Sequence, residues 1–480
     1  MAVVSRRLAF AGHDPSASQA APDPLLYALA LMVWTYVWRV QDLVPVLSSF
    51  RINLIATAAA VGLFVIDRSP ARRLGWLKTP ILICALALVG VAIFGIPMSL
   101  YARRSATTLI TELIPNVLLM MMLAASIRGM RDLEWMALVN LLGACVYSLF
   151  VNLSGGSGPA GGLTNLVFYD ANDLALVLLC AIPFAVLFLI KAQWRYRLLG
   201  ASALILLILT VVSSDSRGGF IGFVAVSLYI LFRYRAIPKR IRLGAVIGGF
   251  GLFSLVASDA YWEEIRGLTN PTQDYNWSGR SAEGRMEVWR RGLGYLADRP
   301  VLGVGLRNFP VAEGTLSPES RARAERGRGF KWSVAHNSFL EIGVELGLAG
   351  LVAFVGMIIA TFRALGRIGS ARSLTDSATL RAVALAGTLS ASFIGFVVAG
   401  VFVSAAYFSF LYVLLGLTMG FIKIHRWRLP PFAQRGRPSF VQPATHLRFS
   451  AGAVDAARLR ALRRPRRTPV VTSQGEADRR

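Results

Sequence analysis

The feature that most restricts this chain is its run of apolar blocks. Each is roughly 18–22 residues long, enough for a helix to cross the hydrocarbon core of a membrane. Such blocks start near Pro24, Ile52, Leu77, Thr107, Leu133 and Leu174, and again near Leu198, Gly218, Leu243, Val344, Leu380 and Tyr407. In lipid every backbone polar group must be satisfied within the protein, and a helix does this within its own segment. The fold expected is therefore all-α: a polytopic bundle of about twelve transmembrane helices. Composition agrees, with 55% hydrophobic and 16% charged residues and a mean hydropathy of +0.55. A secreted enzyme and a free nucleic-acid binder are both excluded by this pattern.

The formal net charge of +25 resembles a nucleic-acid footprint until it is mapped. Basic residues gather in alternate connections: Arg68, Arg72, Arg73 and Lys78; Arg128 and Arg131; Lys191, Arg195 and Arg197; Arg233 to Arg242; Arg363, Arg367 and Arg372. This is the distribution that orients a membrane protein and touches anionic lipid, so membrane lipids and not nucleic acid are the expected partners. It predicts two cytoplasmic termini: a leader over 1–23 and a basic, disordered tail over 426–480. Helices one to nine would occupy 24–258 and helices ten to twelve 336–425. The segment 259–335 would then face outward as a large loop. Its tryptophans and tyrosines, and the helical spacing of Met286, Trp289, Leu293 and Leu296 within Ser281–Ala297, predict an ordered cap. Cys84, Cys145 and Cys180 lie inside apolar blocks and carry no metal-ligand spacing.

Three clusters can carry chemistry. His336-Asn337-Ser338-Phe339-Leu340-Glu341, continuing to Glu345, Gly347 and Gly350, puts a histidine at the outer membrane surface. An imidazole there can act as a general base, or simply bond to lipid or backbone. Ser338 and Glu341 have capping-box spacing, while Glu341 and Glu345 lie one turn apart and can orient a cation or a sugar. Ser213–Gly219 (SSDSRGG) puts Arg217 at a membrane boundary, suited to a forked contact with phosphate or to a pair with Asp215. Arg280 and Arg285 stand near Trp289 on the cap, where they suit anionic or sugar ligands. The Pro300–Gly305 stretch reads as a turn, the chain contains no GxxxxGK[ST] loop, and neither a metal nor a cofactor is expected.

In this order, the Ser216–Gly219, Gly284–Trp289, Pro300–Gly305 and His336–Gly350 motifs, with Tyr169–Asp173 ahead of them, resemble the bacterial O-antigen ligase and polymerase family of membrane glycosyltransferases. The resemblance covers roughly Asp170 to Leu365. It implies a GT-C-like, inner-membrane enzyme that moves a glycan from an undecaprenyl-diphosphate carrier to an acceptor hydroxyl on the periplasmic face. The acceptor would be a lipid A–core sugar or another glycan, and direct displacement would invert the anomeric centre. By motif position Arg217 and Arg285 would hold the leaving diphosphate, with Arg280 an alternative to Arg285. His336 would activate or orient the acceptor. Asp215, Asn337, Glu341, Glu345 and Trp289 would help to bind substrate. A lipid-linked glycan transporter (flippase) or a ligand sensor would also suit a many-helix chain with an outer loop. The sequence does not decide between ligase and polymerase.

Overall fold

The structure, a computed structural model, describes residues 23–427 apart from 49, 155–168, 270–273, 280, 330 and 371–375. Residues 1–22 of the leader, most of the tail, the connection over 155–168 and Arg280 therefore lie outside the described residues. The described chain is helical, in this order: α1 Pro24–Tyr36, α2 Ile52–Ile66, α3 Pro80–Gly95, α4 Ala102–Ser126, α5 Met130–Ser154, α6 Ala171–Leu189, α7 Trp194–Ser213, α8 Arg217–Arg233, α9 Lys239–Val256, α10 Asp259–Gly267, α11 Arg285–Asp298, α12 Phe309–Thr315, α13 Pro318–Glu325, α14 Ser338–Gly369, α15 Ser377–Ala399 and α16 Ser409–Trp427.

Seven of these (α3 to α7, α14 and α15) are long and apolar enough to cross a membrane. The bent pair α9–α10 makes an eighth if it counts as one span. The expectation of about twelve is reached only by adding α1, α2, α8 and α16, which are shorter or less apolar. α1 has 13 residues, and at about 1.5 Å per residue such a helix falls well short of a core about 30 Å thick.

α6 is the axis of the bundle. Every residue from Leu174 to Phe188 is buried, and α7, α8 and α15 pack around it. Glycines permit the close approach. A Cβ at Gly222 would lie 2.6 Å from Leu179 Cδ1, and one at Gly200 would lie 2.3 Å from the Leu189 backbone.

The helix that carries the histidine motif departs most from expectation. α14 begins at Ser338, ahead of the apolar block, and is broken at Gly347 (φ 66°, ψ −170°). The Pro300–Gly305 turn fills the break. Leu348 N–H donates to Pro300 O (2.7 Å), Val304 N–H to Val344 O (2.8 Å) and Gly305 N–H to Glu345 O (2.9 Å). The backbone groups freed by the break thus find partners on the turn. Only glycine fits at this junction: a Cβ at Gly347 would lie 2.2 Å from Val301 O, and one at Gly303 2.4 Å from Val344 O. The turn is the joint between cap and membrane helix.

Above the joint the cap has its own small core of Val288, Tyr295, Val304, Phe309, Ala312, Ala335 and Val344. Beside it Arg291 and Glu313 form a buried two-bond pair (2.9 and 2.6 Å), to which Tyr295 adds its hydroxyl. The helix expected within Ser281–Ala297 exists as α11, but rotated. Val288, Arg291, Gly292 and Tyr295 are buried, while Met286 and Leu293 are exposed. The apolar spacing chose the wrong stripe because the paired Arg291 and the small Gly292 face inward.

Candidate functional site

α8 starts at a tight N-cap. The Ser216 hydroxyl accepts from Gly219 N–H (3.0 Å) and donates to Asn172 Oδ1 (2.7 Å), and Ser216 O accepts from the Tyr261 hydroxyl (2.8 Å). Arg217 is thereby fixed as the first helical residue, between the start of α6 and α10. Its guanidinium meets Asp274, and Glu264 at 3.4 Å. The pairing with Asp215 that sequence proximity suggested is not made. Asp215 is turned away in a left-handed conformation (φ 49°), and its Oδ2 is buried without a partner among the described residues.

Arg285 stands at the start of α11, which the loop before it holds in place. Met286 N–H donates to Asn276 O (2.9 Å), and a Cβ at Gly284 would lie 2.7 Å from Tyr275 O. Arg217 and Arg285 both line a cavity of about 620 Å³, together with Asn172, Asp215, Tyr261, Asp274 and Trp277. Arg285 is the less satisfied of the two arginines: among the described residues no carboxylate pairs with it. Burial first, and then the charge of Arg217, lower its pKa against the opposing pull of Asp170 and Asp274. Guanidinium keeps its charge at neutral pH even so. Burial tends to raise the Asp274 pKa, but its bonds to Arg217 and to Asn276 N–H outweigh that and leave it lowered.

His336 is placed by Trp289, whose indole N–H donates to Ala335 O (2.8 Å) while its ring meets Trp277 edge-on at 5.2 Å. The histidine adopts φ 46°, a conformation that non-glycine residues rarely hold. Of five such residues among those described, Asp215, Arg307 and His336 belong to this region. Burial, and after it the charge of Arg285, depress the imidazole pKa to about 4; Asp170 opposes them, and Lys331 adds a smaller lowering. It is therefore neutral at physiological pH. The imidazole is not part of the cavity wall, and the cavity residue acting most strongly on it is Arg285.

Asn337, not Ser338, caps α14, its side chain accepting from Phe339 and Leu340 N–H at 3.0 Å each. The capping-box reading of Ser338 and Glu341 thus gives way. Ser338 donates to Val403 O (2.7 Å) and accepts from Ala405 N–H (3.0 Å), tying the start of α14 to the loop before α16.

Glu341 and Glu345 share a face, and both meet Arg307. Its guanidinium reaches Glu341 (3.3 Å) and Glu112 (3.0 Å) and lies over the Tyr407 ring at 5.1 Å. Its backbone N–H donates to Glu345 (2.7 Å), which also accepts from Phe309 N–H and the Tyr407 hydroxyl. Burial opposes the charge of Arg307, but Glu341, Glu112 and Glu345 outweigh it and raise its pKa. The sequence reading missed Arg307, Glu112, Glu264, Asp274 and Tyr407. The signal available for Arg307 was a lone charge two residues after the Pro-x-x-Gly-x-Gly turn.

A many-helix membrane protein with a polar cap and two arginines on one cavity is the class these features define. Residues 202–355 match the family model described as O-Antigen ligase, so the resemblance is shown over that segment. The segment contains Arg217, Arg285, Arg307, His336, Glu341 and Glu345. A Haemophilus influenzae protein named "Uncharacterized protein" is 29% identical over 180 residues, 36% of this chain and 44% of that one. A Rickettsia bellii protein named "Putative polysaccharide ligase" is 28% identical over 177 residues, 35% of this chain and 41% of its own. A Rickettsia conorii protein of the same wording is 26% identical over 158 residues, 32% of this chain and 37% of its own. The matches span about two-fifths of the length of these relatives.

Proposed function

We propose that this chain is a membrane glycosyltransferase of the O-antigen ligase type. It would move a glycan from an undecaprenyl-diphosphate carrier to an acceptor hydroxyl on the periplasmic face of a bacterial inner membrane. One observation carries the reading: Arg217 and Arg285 converge on one cavity, and Arg285 has no paired carboxylate among the described residues. Two guanidiniums facing one space suit a diphosphate, whose oxygens match their forked donors.

In the proposed reaction the bond from the anomeric carbon to the diphosphate oxygen breaks as the acceptor oxygen bonds to that carbon. The leaving diphosphate gains negative charge, which Arg217 and Arg285 stabilise in a site already arranged for it. The acceptor proton passes to His336. A base with a pKa of about 4 is weak, but part of that depression comes from Arg285. Bound diphosphate offsets the arginine charge and raises the imidazole pKa, so His336 becomes a better base when donor is present. A single displacement of this kind inverts the anomeric centre. The acceptor would be a lipid A–core sugar or another lipid-linked glycan.

The test is transfer by the purified protein in lipid nanodiscs, given a lipid-diphosphate glycan and an acceptor. Glycan should move to the acceptor, and Arg285→Ala should lower kcat/KM by about 100-fold or more. Passage of intact lipid-linked glycan across the bilayer without transfer would replace this reading with a transporter.

A further inference from the structure

A second cavity, of about 530 Å³, lies among α6, α7, α8 and α9. Much of its wall is apolar: Val186, Leu204, Ile208, Phe223, Ile230 and Val246 all line it. α9 closes it loosely. Only Phe253 of its 18 residues is buried, and a Cβ at Gly244, Gly248 or Gly251 would meet nothing. Arg197 from the first turn of α7 and Arg242 from the first turn of α9 also line the cavity, while no carboxylate does. Arg242 Nη1 lies 3.5 Å from Ile230 O, and its Nε is buried without a hydrogen-bond partner among the described residues. A buried guanidinium N–H with nothing to donate to is unfavourable, and an anion would relieve it. Arg233, Lys239 and Arg240 add further positive charge at the same helix ends.

We propose that this cavity binds an anionic glycerophospholipid, its acyl chain between α7, α8 and α9 and its phosphate on Arg197 and Arg242. The cavity suits one acyl chain of such a lipid with its phosphate, the second chain remaining in the surrounding bilayer, and a basic pocket between membrane helices suits an anionic headgroup. The site is distinct from the one lined by Arg217 and Arg285: the two cavities share no lining residue. They are joined mechanically. α9 runs into α10 through a 112° bend, and α10 supplies Tyr261, Glu263 and Glu264 to the first cavity. A lipid that braces α9 therefore braces one wall of that cavity.

The test measures binding and does not depend on any transfer activity. The full chain is placed in nanodiscs of phosphatidylglycerol mixed with phosphatidylcholine, and retained lipid is identified by native mass spectrometry. The wild type should retain phosphatidylglycerol selectively. Arg197→Ala or Arg242→Ala should each reduce that selectivity by about fivefold, and the double variant by about 25-fold. Gly249→Leu tests the apolar part with both arginines present. A Cβ there meets Phe223 at 3.5 Å and Ile208 at 3.9 Å, which is ordinary contact, so the added side chain should fill the cavity and displace the lipid. Equal retention of both lipids, unchanged selectivity in the double variant, or a polyprenyl phosphate as the retained lipid would each overturn the proposal.

Discussion

At the scale of single residues the site is held together by charges that meet across long stretches of sequence. His336 gives the sharpest test. With its pKa at about 4 in the free protein, against an ordinary 6.5, the imidazole stays neutral until the pH falls close to 4. If it is the base, kcat/KM, which reports the free enzyme, should hold down to about pH 5. The acid limb of kcat, which reports the donor complex, should lie at higher pH, because bound diphosphate cancels part of the Arg285 effect. Coincident limbs near 6.5 would show that His336 is not so coupled. The same depression bears on stability. Between pH 6.5 and about 4 the unfolded chain binds a proton that the folded chain does not, so folding weakens as pH falls through that window. Asp274 offers a second test, since its carboxylate pairs with Arg217. Asp274→Asn keeps an acceptor for Asn276 N–H (2.7 Å) but removes the competing charge, so the donor Kd should fall severalfold. An unchanged or higher Kd would mean that Asp274 positions Arg217 for its ligand.

At the scale of elements the break in α14 is the decisive feature. Gly347 occupies a left-handed conformation against the Val301 carbonyl, so Gly347→Ala should destabilise the fold by about 2 kcal/mol or more. Thermal unfolding in detergent measures this, and a loss within about 0.5 kcal/mol would mean that the joint repacks freely. Such features mark the limit of what the sequence disclosed. Apolar blocks located the membrane helices, because 18 or more apolar residues admit few alternatives to a span. The motifs around Arg217 and Arg285 picked out two residues that line one cavity, while the His336 imidazole lies off its wall. The Gly347 break was invisible, since it depends on a turn more than 40 residues upstream. The buried face of α11 was misassigned because an arginine, Arg291, occupies it with Glu313 as its partner. Arg307 was missed for a similar reason: its carboxylates arrive from α4 and α14, and no local spacing announces them.

At the scale of the whole molecule, cap and bundle act as a single body. The described residues cluster as one compact unit, and the small core of the cap draws Val344 from a membrane helix and packs against Leu100 from the α3–α4 connection. Leu100 N–H also donates to Val304 O (2.9 Å), and the three bonds at the α14 break leave the cap entirely. The hub around Arg307 is shared in the same way, because Glu112 lies on α4 and Glu341 and Glu345 on α14. Arg307→Ala would leave buried Glu341 without its cation, while Glu345 keeps its backbone N–H bond; the loss of about 3 kcal/mol or more should appear as a lower Tm of the whole chain. The cap by itself should not fold. A segment of this length has a marginal core even when complete, and here Val344 and its backbone anchors are supplied by the bundle. Residues 259–335 expressed alone should give no cooperative thermal transition by circular dichroism and poorly dispersed amide resonances. A sharp transition would show the cap to be an independent domain. In that case the Gly347 joint would be a docking contact between two folded bodies, and Gly347→Ala would loosen the cap while leaving its own Tm unchanged.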